Sequence, residues 1–182
     1  YSMMVQPLLS TVPGFVEQVE DILSRHRPDG LILTPPITDH PKLLDSLRKS
    51  GTPFASIAPH HAKGCIGVVL REREAAGKMV EHLVSLGHRR IAHIVGDLKH
   101  GAGVWRLAGY RDGLKRAGLK EDPAYMVQGM FSFESGVAAT RRLLALRRRP
   151  TAIFAADDDM ATGAIWAAAE AGAAVPGEVS IC

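Results

Sequence analysis

The sequence predicts an α/β chain with parallel sheets flanked by helices, and three observations carry that prediction. Short apolar runs of strand length alternate with longer stretches in which apolar residues recur at helical spacing. Glycines close four of the helical stretches, at Gly51, Gly87, Gly118 and Gly172, where a helix C-terminus favours a residue that enters the left-handed region without strain. Helices of such length between short strands require parallel pairing through crossovers, which leaves a sheet covered on both faces. With 182 residues, 46% of them hydrophobic, the chain can bury a core as one large domain or as two small lobes.

Taken in order, Leu31-Ile32-Leu33 is the first buried-strand candidate. Pro41 to Ser50 follows as a helix with Leu43, Leu44 and Leu47 on one face, ended by Gly51. Ala58 to Arg73 holds an irregular Pro/His/Gly segment and then a brief apolar run, and is the best candidate for a passage between two lobes. Glu72 to Leu86 places Ala76, Met79, Val80 and Leu83 at helical spacing before Gly87 and the strand Ile91 to Val95. Trp105 to Ala117 is the next helix, closed by Gly118, and Tyr125 to Val127 the next strand. Ser135 to Arg148 is read as a helix and Thr151 to Ala155 as a strand. Asp158 to Ala171 carries Ala161, Ala164, Ile165 and Ala168 on one helical face, and Val179 to Ile181 begins another strand. Ligands of such sheets sit at the strand C-termini. The segments Thr34 to Thr38, Asp97 to Val104, Gly129 to Glu134 and Ala156 to Asp158 all follow strands, so their side chains can face one cleft.

Composition narrows the function. The formal net charge of +3 is modest and the basic residues are interspersed with acidic ones, so charge alone does not announce nucleic acid. Charged or histidine residues interrupt every apolar stretch before it reaches the roughly 18 residues of a transmembrane helix. Tyr1 to Leu9 does not read as a signal peptide, and both ends of the chain read as cuts. Cys65 and Cys182 are far apart and show no ligand spacing, which argues against a disulfide scaffold or structural zinc and fits a reducing cytoplasm.

The local motifs have plain readings. His60-His61 has no third ligand nearby and reads as surface loop rather than a metal site, and Asp157-Asp158-Asp159 lacks the spacing of a calcium loop. Gly96 to Gly103 has the outline of a phosphate loop, but Ala102 stands where the lysine is required. Arg147-Arg148-Arg149 is read as complementing a helix dipole before Pro150, and Trp105 and Trp166 serve either core or cleft. No catalytic serine elbow, zinc-protease helix, cysteine-centred arrangement or cofactor loop emerges, so no enzyme, metal or cofactor is expected.

Three blocks in sequence order carry a family resemblance. Val80 to Val95 reads VEHLVSLGHRRIAHIV and continues through Gly96, Arg106, Gly109 and Tyr110; Arg149 to Ile181 forms a second block; Pro28 to Leu33 with Gly51-Thr52-Pro53 forms an upstream one. Together they cover nearly the whole chain and resemble the LacI/GalR family of bacterial transcription regulators. The resemblance implies a periplasmic-binding-protein-like fold of type I, with two lobes around a small-molecule cleft. Residues 1–69 would be part of the N-terminal lobe and 70–182 most of the C-terminal lobe, with the helix-turn-helix headpiece absent from this chain. It implies a cytoplasmic homodimer whose core binds a sugar or sugar derivative and thereby modulates binding to operator DNA. A periplasmic sugar-binding protein of a transport system is the alternative; an enzyme on a similar scaffold ranks behind both.

The same resemblance nominates the ligand residues. Arg106 matches the arginine that reaches into the cleft, where a guanidinium fork engages two oxygens at once, although a solvated helix arginine is the bland alternative. Asp157 stands where relatives often carry asparagine and is assigned to ligand, with Asp158 as the cap of the following helix. Phe131 falls at an aromatic cleft position suited to a sugar ring, with core packing as the alternative. Leu70 corresponds to an apolar cleft position. Arg71 stands where many relatives carry a polar or acidic residue, and Ala58 where an acid is frequent. Loss of an acid and gain of an arginine point to a more acidic ligand, such as a sugar acid or sugar phosphate.

Overall fold

Leu31–Leu33 (β1), Phe54–Ile57 (β2) and Ile66–Val68 (β3) form a parallel sheet in the order β1-β2-β3. This is the first of two units, Tyr1–Leu70 and Arg71–Cys182, in a computed structural model that describes residues 2–9, 12–60, 64 and 66–182. His61 and Cys65 lie outside the described residues. Helices Phe15–His26 (α1) and Pro41–Ser50 (α2) cover one face of this sheet. Phe15, Val19, Leu33, Leu43 and Leu47 are buried there. Side chains alternate along a strand, so Ile32, Ile66 and Val68 turn to the other face and are exposed.

Two elements of this unit were not expected, and a third lies in the expected passage. Helix α1 follows Gly14, which offers no side-chain cap, and ends at Arg27 in the left-handed region rather than at a glycine, so it carries neither the usual start nor the usual stop signal. The Ala and Ser of β2 dilute its strand propensity. The passage from Ala58 to Arg73 is not irregular throughout, because β3 pairs with β2 inside it, Ala55 opposite Ile66.

The second unit has a four-stranded parallel sheet in the order β5-β4-β6-β7: Ile91–Val95 (β4), Met126–Gln128 (β5), Ala152–Ala155 (β6) and Ser180–Ile181 (β7). Glu72–Ser85 (α3) and Gly101–Arg116 (α4) cover one face; Phe133–Leu144 (α5) and Asp158–Glu170 (α6) cover the other. The strands divide their residues with period two. Ile91, Ala152 and Phe154 enter the α3/α4 core, while Ala92, Ile94, Ile153 and Ala155 enter the α5/α6 core. That double burial explains why these strands read as continuous apolar runs. At the end of α3, Gly87 takes φ 94°, and the N–H groups of Gly87 and His88 turn back to the carbonyls of Val84 and Leu83, the closed helix end that a left-handed glycine permits.

Two helix boundaries differ from expectation by about a full turn. Helix α4 begins at Gly101, so Gly101 to Val104 is its first turn rather than loop. Helix α5 ends at Leu144, not Arg148; Arg141 and Arg142 supply its basic last turn, and Arg147, Arg148 and Arg149 lie beyond it. That arginine run therefore does not form the basic last turn that complements the helix dipole, contrary to expectation.

Candidate functional site

The C-terminal edge of a parallel sheet gathers strand-end loops and helix N-termini, the usual ligand side of α/β units. In the second unit three loops meet there. Gln128, the last residue of β5, ties two of them, its Nε2 donating to Gly96 O at 2.8 Å and Gly129 O at 2.6 Å. A Cβ at residue 96 would collide with the ring of Phe131, so a larger residue at that turn would displace the ring. Phe131 itself sits at φ 55°, a conformation that costs a non-glycine residue on the order of 1 kcal/mol or more. Its ring stacks on His100, with centroids 5.9 Å apart and planes 15° from parallel.

Arg106 extends from the second turn of α4. Its Nη1 donates to Ala156 O, and its Nη2 donates to Glu72 Oε1 at 2.6 Å. Glu72 opens α3, where the helix dipole favours an acid, and its side chain is only 9% exposed. The guanidinium thus bridges three elements, and its charge is balanced by a nearly buried carboxylate. A pair of this kind is costly to break from one side.

Asp157 is the N-cap of α6: its backbone is extended and Oδ1 accepts from Met160 N at 2.9 Å. This corrects the assignment of the cap to Asp158, which is already the first helical residue. The carboxyl of Asp157 is shifted upward from the usual carboxylate range, chiefly by burial, with the Met160 N–H opposing. Its Oδ2 accepts no hydrogen bond among the described residues.

Arg106, Asp157 and Phe131 therefore share one sheet edge. Arg71 does not join them; it precedes α3 with its side chain 88% exposed and Nη1 3.4 Å from Glu74 Oε2. Leu70 is the last residue of the first unit and is exposed. Sequence reasoning missed Glu72, Gln128 and His100, whose roles arise from partners distant in sequence. It also passed over His93, buried in β4 between the rings of Tyr110 and Phe154 at 4.9 and 4.8 Å. There Nδ1 lies 2.9 Å from Phe154 O, a carbonyl that only accepts, so Nδ1 is the protonated nitrogen. Burial pushes the pKa of His93 down to about 4. Among the described residues, no three His, Cys, Asp or Glu side chains form a metal-holding group, and no helix is long and apolar enough to cross a membrane.

A doubly covered parallel sheet with an arginine, an aspartate and an aromatic ring at its strand ends is the architecture of a small-molecule binding domain. The chain belongs to the periplasmic binding protein-like domain family, which matches residues 80–182. Over 100 residues it is 44% identical to the HTH-type transcriptional repressor PurR of Erwinia tasmaniensis, covering 55% of this chain and 29% of that protein. The structure of the transcriptional regulator CelR in complex with cellobiose superposes with a TM-score of 0.83 at 30% identity, over 93% of this chain and 52% of that one. A putative LacI transcriptional regulator from Bacillus cereus subsp. cytotoxis NVH 391-98 gives 0.82 at 31%, over 91% and 59%. The resemblance to LacI-family regulators and the type I α/β fold expected from it both hold. The matched segment spans less than a third of the length of these curated relatives.

Proposed function

We propose that this chain is the effector-binding core of a bacterial DNA-binding transcription regulator, and that it holds a sugar or sugar derivative at the Arg106, Asp157 and Phe131 edge. The observation that carries this reading is the anchoring of Arg106 by Ala156 O and Glu72. Two of its five N–H donors are spent on the protein, so the others stay oriented for ligand oxygens. Asp157 Oδ2 accepts from a ligand hydroxyl, and the Phe131/His100 stack offers a flat face to the apolar side of a sugar ring. Because Glu72 balances Arg106, the site favours a neutral polyol over the sugar acid expected from Arg71 and Ala58. The cellobiose-bound relative supports the same class of ligand.

In the longer regulator, acting in the cytoplasm as a homodimer on operator DNA through a headpiece, the sugar alters DNA affinity by binding one conformational state better than the other. Calorimetric titration with cellobiose, other neutral disaccharides, monosaccharides and their acid analogues tests the site. The best neutral sugar is expected to lose at least about tenfold in affinity in Arg106→Ala and in Asp157→Asn, the latter keeping the helix cap. A sugar bound equally well by wild type and both variants would place the site elsewhere.

A further inference from the structure

The opposite edge of the second sheet carries a concavity that the effector reading leaves unused. Arg90, Arg147, Arg148, Arg149, Thr151 and Glu178 line it, and it encloses about 460 Å³, within the range of small-molecule sites. A neighbouring hollow shares Arg90, Arg147 and Arg148 and adds Lys120. Like charges this crowded repel, and a folded chain ordinarily relieves them with interspersed carboxylates. Here the relief is partial, since Glu178 is the one carboxylate in the lining of the first hollow. Among the described residues, the side chains of Arg147, Arg148 and Arg149 take part in no ion pair or hydrogen bond.

Of the rim carboxylates, two accept backbone N–H groups and keep their charge, and one is paired with an arginine outside the hollow. Glu178 Oε2 accepts from Ala174 N at 2.8 Å, Asp122 Oδ1 accepts from Ala124 N at 2.9 Å, and Glu121 pairs with Arg111 at 3.1 Å. The loop that bears the arginines is nevertheless held in place. Arg90 Nε donates to Arg149 O at 2.8 Å, Tyr125 Oη donates to Arg148 O at 2.9 Å, and Thr151 N donates to Arg90 O at 2.8 Å. A fixed backbone presenting several unpaired guanidinium groups around one small hollow, with cations in excess of carboxylates, is preorganised for an anion.

We propose that this basic hollow binds a compact anion carrying two or more phosphoryl groups, at a site distinct from the effector edge. Guanidinium forks match phosphate oxygens in pairs. The arginines also converge on one concavity instead of forming the extended stripe that tracks a nucleic-acid backbone.

Calorimetric titration of the full chain with inorganic pyrophosphate, in about 150 mM salt to screen weak surface attraction, tests the proposal. Saturable binding is expected, weakened at least about tenfold in the triple variant Arg147→Gln/Arg148→Gln/Arg149→Gln and unchanged in Arg106→Ala. Arg148→Lys, which keeps the charge and loses the fork, should fall between. Thermal melting of each variant checks that it is folded. Absence of binding, binding that survives the triple change, or binding lost in Arg106→Ala instead would overturn the proposal. A short DNA duplex that binds through these arginines and is not displaced by pyrophosphate would overturn it in favour of a nucleic-acid surface.

Discussion

His93 is neutral in the folded unit because the sheet and two aromatic rings exclude water from it, and neutrality has a pH-dependent consequence. Its folded pKa of about 4 lies below the ordinary 6.5, so between those values the unfolded chain takes up a proton that the folded chain refuses. The stability from keeping it neutral is complete above about pH 6.5 and is lost progressively as pH falls toward 4. Urea melts should show a loss of about 2 kcal/mol between about pH 7 and pH 5 from this group, and His93→Gln should flatten that slope whatever its effect at neutral pH. Asp157 makes a second residue-scale case, since its capping bond to Met160 N is a stability term separate from ligand. Asp157→Ala should cost about 1 kcal/mol in urea midpoint analysis, whereas Asp157→Asn and Asp157→Ser should keep most of it.

Both helix pairs of the second unit approach closely through glycine. A Cβ at residue 109 would meet the carbonyl of Arg73 across the α3/α4 contact, and one at residue 163 would meet the carbonyl of Phe133 across the α5/α6 contact. On propensity alone, Gly→Ala inside a helix gains up to about 1 kcal/mol. Overpacking against backbone, which cannot rotate away, costs about 1–3 kcal/mol. The second effect wins, so Gly109→Ala and Gly163→Ala should each lower the melting temperature. Legibility at this scale followed local signals. The ends of the helices closed by Gly51, Gly87, Gly118 and Gly172 were legible to within a residue because the stop is written in one residue. Helix α1, bounded by Gly14 and a left-handed Arg27, was invisible for lack of such marks. The arginines after α5 were misread because a helix that stops at Ala145 without glycine gives no warning that it has stopped.

At the scale of the molecule, the second unit contains two separate cores on the two faces of its sheet, and its main interactions are internal. Residues 71–182 expressed alone should unfold in one cooperative transition within a few degrees of the main transition of the full chain; a fragment without a cooperative melt would show that its cores depend on the first unit. The overall fold was legible because alternating strands and helices admit few arrangements. The candidate site residues were nominated only through family resemblance: nothing local connects Arg106 with Glu72, 34 positions earlier, and no periodicity marks Phe131 as strained. Strand β4 also provides a built-in clock. It lies between β5 and β6 with every residue buried, so its bonded amides reach solvent only when the whole unit opens. Deuterium retained at Ile94 and Val95 in native buffer would then report the unit's full unfolding free energy without denaturant, while amides of β3, at the margin of the other sheet, would lose their label early.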